Sequence, residues 1–153
     1  MTLLCAARGA ELRTLHLKQR CLITKFRLSA HQLRIETGRY EKKKNKDGKV
    51  LQLVRDERIC MHCNMSKIED EFHFLFECPL YSSNRLKLIY SITTVCKNFS
   101  ALTDNDKFVW ILNNEDKSIL VFLYEYISNC FLLRNTHSLD TNNNYKLIFF
   151  FIF

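Results

Sequence analysis

Three cysteines and two histidines fall within CMHCNMSKIEDEFHFLFECP, positions 60–79. Cysteine thiolate and imidazole are the natural ligands of a tetrahedral zinc ion, and a structural site uses four of them. Cys60 and Cys63 stand at the spacing of a metal knuckle, whose turn lets two sulfurs converge while nearby amides point at them. His73 and Cys78 complete C-x2-C-x9-H-x4-C. His62 lies inside the knuckle turn, where its ring points away from the ion. The ligand set is therefore Cys60, Cys63, His73 and Cys78. His73 and Cys78 are five residues apart, about 140° round an ideal helix. One ion cannot take both from a regular helix, so the helix must loosen or end near Cys78. Pro79 supplies the reason, because the residue before a proline is pushed out of the helical region. Glu69, Asp70 and Glu71 read as the helix start, where the macrodipole favours acids. Phe72, Leu75 and Phe76 share one face of it. Four strong ligands leave no position for a catalytic water, so the site reads as structural, with zinc the preferred metal.

The elements that must hold this cluster are helical. The chain has 153 residues, 47% apolar and 25% charged, with three Gly and one Pro. So few turn-formers between long periodic runs point to helices rather than a many-stranded sheet. The expected fold is mostly α, a small helical domain with a CCHC zinc-binding knuckle. Residues 1–50 read as a basic helix and basic loop, and 51–98 as the zinc module with a following helix. Residues 99–135 read as a helical extension and 136–153 as a disordered tail. In the helix at 80–98, Leu86, Ile89, Tyr90 and Cys96 are spaced for one face. Thr103 or Asp104 is placed to cap the next helix. In the last helix Ile119, Phe122, Tyr126, Cys130 and Leu133 recur at helical spacing.

The net charge of +7 is uneven. Residues 1–59 hold fifteen Lys and Arg against six Asp and Glu, a net of +9, while the remainder carries −2. Residues 10–34 read as one amphipathic helix whose apolar arc holds Leu12, Leu15, Leu22, Ile23, Phe26, Ala30 and Leu33. Arg13, Arg20, Arg27 and Arg34 recur every seventh residue and form a stripe beside the apolar face. Guanidinium makes bidentate contacts with phosphate, so the stripe is a candidate edge for tracking a nucleic-acid backbone. Arg39, Lys42, Lys43 and Lys44 extend it into a mobile basic loop that also holds Lys46 and Lys49. A solvated basic face with packed stems is the alternative reading. Clustered Cys and His without a secretory leader point to a reducing compartment, nuclear or cytoplasmic, rather than secretion. The C-terminal YKLIFFFIF is too short to span a bilayer, so no membrane partner is expected.

The segments LITKFRLSAHQLRIETGRY and ERICMHCNMSKIEDEFHFLFECPLYSSNRL resemble the region downstream of the polymerase in non-LTR (LINE-like) retrotransposon reverse transcriptases. KFVWILNNEDKSILVFLYEYISNCFLLRN is similar to the helical extension that often follows. The resemblance covers residues 10–135 and is most specific over 22–85. It implies that Cys60, Cys63, His73 and Cys78 are the family's zinc ligands and that Arg34, Glu36, Thr37, Gly38, Arg39 and Tyr40 form a recurring segment. It further implies binding of RNA or DNA during target-primed reverse transcription, with the rest of a reverse transcriptase as a second partner. The chain has no Tyr-x-Asp-Asp motif and no Asp-Asp pair, so polymerase and endonuclease activity are not expected of it. Two other readings stay open: a zinc-held module for protein interaction, and a truncated retroelement remnant.

Overall fold

The computed structural model describes the backbone of residues 14–141 and the side chains of 14–137. Helix α1 (Leu17–Arg27) starts at His16, whose ring accepts the Lys18 amide while Gln19 accepts the His16 amide at 3.0 Å. The helix does not continue to residue 34. It ends in a Schellman turn, in which Ala30 N donates to Lys25 O at 2.7 Å and Ser29 N to Phe26 O at 3.2 Å. Ser29 takes the left-handed position, φ 54°, that glycine usually fills. Its hydroxyl is held there by the Glu71 carboxylate.

After this break come a one-turn helix, α2 (Arg34–Thr37), and an antiparallel hairpin, β1 (Lys42–Lys44) and β2 (Val50–Gln52). The lysine segment is thus a hairpin and not a mobile loop. Asp47-Gly48 supplies its turn: Gly48 sits at φ 77° and Asn45 N donates to Lys49 O at 2.9 Å. The Cys60–Cys63 turn follows, then helices α3 (Ser82–Val95), α4 (Asp104–Asn113) and α5 (Lys117–Thr141). The fold is mostly α, and the hairpin is the one sheet among the described residues.

Helix α5 packs against both α1 and α3. It buries Ile119, Leu120, Leu123, Tyr126, Ile127, Cys130 and Phe131, while Phe122 and Leu133 of the expected stripe are only partly buried. Phe74 lies at the centre of the core. Its ring meets Phe26, Tyr81, Tyr126 and Phe131 at centroid distances of 4.7 to 5.5 Å. Tyr126 Oη donates to Phe74 O at 2.6 Å, which ties α5 to the knuckle. Thr103 caps α4 by accepting the Asp106 amide at 3.2 Å.

Two further expectations change. The buried face of α3 is Leu88 and Ile92, while Leu86 and Tyr90 are 70% and 73% exposed. Arg85 sets that rotation: it donates to Leu75 O at 2.8 Å and Cys78 O at 2.6 Å, and Leu88 and Ile92 follow it at i+3 and i+7. At the C-terminus, residues 136–141 extend α5 instead of beginning a tail, and 142–153 lie outside the described residues.

Replacing Phe74 with Ala removes the centre of this ring cluster and should cost about 3–5 kcal/mol. Val109, 57% exposed on α4, provides the control. Its Ala variant should stay within about 0.5 kcal/mol of wild type. Denaturant titration of the metal-loaded chain measures both.

Candidate metal centre

Residues 58–69 fold back on themselves before the ligands converge. Ile59 and Ile68 form an antiparallel bridge, with Cys60 N donating to Lys67 O at 2.8 Å and Glu69 N to Arg58 O at 2.9 Å. This closes the loop that carries Cys60 and Cys63. Asp70 starts the next helical turn, its carboxylate accepting His73 N at 2.9 Å. The turn then widens into a π-helix, His73–Glu77, whose signature is the bond from Cys78 N to His73 O at 2.8 Å. A bond between residues five apart brings His73 and Cys78 onto the same side. Cys78 itself is extended (φ −58°, ψ 122°), as Pro79 requires.

The metal-binding atoms of Cys60, Cys63, His73 and Cys78 all lie within 4.8 Å of one another, and three of the four residues are buried. A tetrahedron with metal–sulfur bonds of about 2.3 Å has an edge of roughly 3.8 Å. Small inward movements therefore complete the coordination. His73 is already oriented for it: Nδ1 meets Glu77 Oε2 at 3.2 Å, leaving Nε2 to face Cys63 Sγ at 3.4 Å. A carboxylate on the far nitrogen fixes the tautomer that offers its lone pair to a metal.

The protons tell the same story. Cys60 is pushed up to about 12 by a hydrogen bond to Cys78 and by burial, and Cys78 is held below the usual thiol range by the same bond. Burial raises Cys63. The amides of His62, Met65 and Leu80, each two residues beyond a cysteine, point at the three sulfurs and favour their thiolates. A bound cation is what such a buried sulfur cluster needs to lose all its protons. The donor set fits one tetrahedral ion. His62 is outside it, its ring turned to His137 at 3.5 Å and towards Glu69 at 3.9 Å.

The three acids beside the cluster have separate tasks. Glu69 is fully buried and is not at a helix start. Its carboxylate accepts Arg134 Nε at 3.1 Å, Arg134 Nη2 at 2.8 Å and the Arg34 amide at 2.8 Å. Asp70 is the cap just described. Glu71 accepts from Ser29 and is paired with buried His31 at 2.8 Å. Burial works against its ionisation, but these two bonds prevail and hold it at about 2.

The arginines do not form one row. Arg13 lies outside the described residues. Arg20 is half-buried, with its Nε shielded. Arg27 donates to Asn114 O at 2.5 Å and so joins α1 to the α4–α5 connection. Arg34 grips Glu41 and donates to Ile59 O at 3.0 Å, a bond to the knuckle itself. Arg39 is exposed and pairs with Glu36 at 2.7 Å. Lys43 pairs with Glu57, and Lys42 and Lys44 are exposed without an ion pair among the described residues. The break at Ser29 is why the sevenfold spacing fails to become a stripe.

Sequence reasoning missed Arg58, Arg85 and Arg134. Arg58 donates to Ile35 O at 2.8 Å and Leu53 O at 3.3 Å, and its stem crosses Gly38. A Cβ on Gly38 would stand 2.6 Å from Arg34 O and 2.8 Å from Arg58 Cγ. That close approach explains the glycine in ETGRY. The signal available was Gly38 itself, in a chain with three glycines.

The refolded chain should hold one divalent metal ion. Cys60→Ser, His73→Ala and Cys78→Ser should each abolish it, while His62→Ala keeps it, as measured by metal content after gel filtration. Gly38→Ala should retain the ion yet lose about 1–3 kcal/mol to overpacking, read by denaturant titration. Comparison with protein-family models, with curated proteins and with solved structures gives no match.

Proposed function

We propose that the chain is a zinc-stabilised, non-catalytic module that binds the phosphate backbone of RNA or DNA, like the region downstream of the polymerase in non-LTR retrotransposon reverse transcriptases. Zinc is the metal because three thiolates and an imidazole in a closed, buried tetrahedron suit it best. The observation that carries the binding reading is the exposed hairpin, where residues 42–52 hold five lysines and one aspartate. Arg20, Arg39, Lys42 and Lys44 remain the candidate phosphate contacts, while Lys43 is held by Glu57. Arg27 and Arg34 serve the fold instead, since their guanidiniums are engaged within the chain. The closed ligand set and the lack of a polymerase or nuclease motif support binding without catalysis. On this reading the protein works in the nucleus or cytoplasm beside the rest of a reverse transcriptase. Among the described residues no helix is long and apolar enough to cross a membrane.

One observation favours a second reading. Leu86 and Tyr90 stand one turn apart on α3 and are largely exposed. A protein-docking face there would make zinc the anchor of an annex on a larger enzyme.

A labelled oligonucleotide titrated with zinc-loaded chain separates the two. Phosphate contacts predict affinity falling steeply, by orders of magnitude, between about 50 and 200 mM salt. No binding at low salt by a folded, zinc-loaded sample would contradict the nucleic-acid reading and favour the docking face.

A further inference from the structure

The hairpin differs from a general basic patch in having a fixed register. Side chains alternate across a strand, and residues opposite one another in an antiparallel pair share a face. The register pairs Lys42 with Gln52, Lys43 with Leu51 and Lys44 with Val50. Lys42, Lys44 and Val50 therefore share one face, and Lys43 and Leu51 share the other. Lys43 is tied to Glu57, in the turn at Arg55–Glu57. That tie engages the lysine of the second face, while Lys42 and Lys44 on the first make no ion pair among the described residues.

The tip is also fixed. Asn45 Oδ1 accepts the Asp47 amide at 3.1 Å and the Lys49 amide at 2.8 Å, and Gly48 N donates to Asn45 O at 3.0 Å. The ladder is prolonged at its base by Leu53 N to Glu41 O at 3.1 Å. Both strands are exposed along their whole length. Lys46 and Lys49 are exposed at the turn, and Val50 is 52% exposed between lysines. An exposed valine beside unpaired lysines is a poor solubilising surface and a reasonable one for reading a groove.

Building on the nucleic-acid reading above, we infer that the β1–β2 ribbon enters the major groove of duplex DNA, with Lys42 and Lys44 on phosphates and Val50 against base edges. The dimensions select this ligand. A B-form major groove about 12 Å wide admits a two-stranded ribbon and presents a distinct pattern at each base pair, whereas the minor groove is about 6 Å wide and its pattern is degenerate. The deep, narrow major groove of A-form RNA excludes side chains. Lys42 and Lys44, two residues apart, are spaced by roughly 6.8 Å. Val50 offers the apolar contact that a thymine methyl group accepts.

The test uses the full zinc-loaded chain and one sequence in three forms: DNA duplex, RNA duplex and single-stranded DNA. DNA duplex should bind about tenfold or more tighter than the other two. A third strand laid in the major groove should abolish that advantage, and a minor-groove ligand should leave it. Lys42→Ala combined with Lys44→Ala should erase the preference. Lys18→Ala with Lys25→Ala, the same charge removed from α1, should leave the preference for duplex DNA unchanged. Equal affinity for the three forms, or displacement by the minor-groove ligand alone, would overturn the groove assignment while leaving backbone binding intact. Binding to none of them would overturn both.

Discussion

One buried carboxylate governs how this chain closes. Glu69 has no solvent access, and an unpaired charge there would be very costly. Its needs are met from three directions. Arg134 arrives from α5 with two hydrogen bonds, the Arg34 amide arrives from α2, and Glu69's own backbone bonds Arg58 O and the Ile35 amide. Cys60 Sγ lies 3.9 Å from the same carboxylate. The Glu69–Arg134 pair is thus the seam between the metal cluster, the turn after α1 and the end of the longest helix. Burial lowers the Arg134 pKa, but the carboxylate and the nearby sulfur outweigh it and raise the value, so the guanidinium stays charged.

This arrangement makes the Cys60, Cys63, His73 and Cys78 cluster part of the core and not an appendage to it. Cys60, Phe74, Leu75, Cys78 and Tyr81 belong to the same core as the helices. Arg34 and Arg58 strap α2 onto the knuckle, and Arg85 closes the carbonyls at the end of the π turn. The basic hairpin grows from this strapped region between Tyr40 and Leu53. A rigid base is what a projecting ribbon needs if its lysines are to present a fixed spacing.

The parts legible in the sequence were those with local causes. Cys60 and Cys63 converge because two residues make a turn, and Cys78 turns away from its helix because Pro79 follows it. Thr103 caps α4 by the same short-range logic. The misreadings have non-local causes. A left-handed Ser29 ends α1 where no glycine announces it, and Glu71, 42 residues on, holds its hydroxyl. The face of α3 is set by Arg85 reaching carbonyls on a preceding turn, which periodicity cannot register. Glu69 and Arg134 are 65 residues apart, and nothing in either neighbourhood names the other. The arginine spacing was real, but two of those side chains serve the fold.

Amide hydrogen exchange with and without a chelator tests most directly whether the metal cluster organises the fold. Removing the metal should release protection at Cys60 and Cys78, at the Arg34 and Ile35 amides of α2, and through residues 130–137 of α5. The Leu120–Ile127 stretch should retain more. Loss confined to residues 60–78, with α2 and the end of α5 as protected as before, would contradict the account.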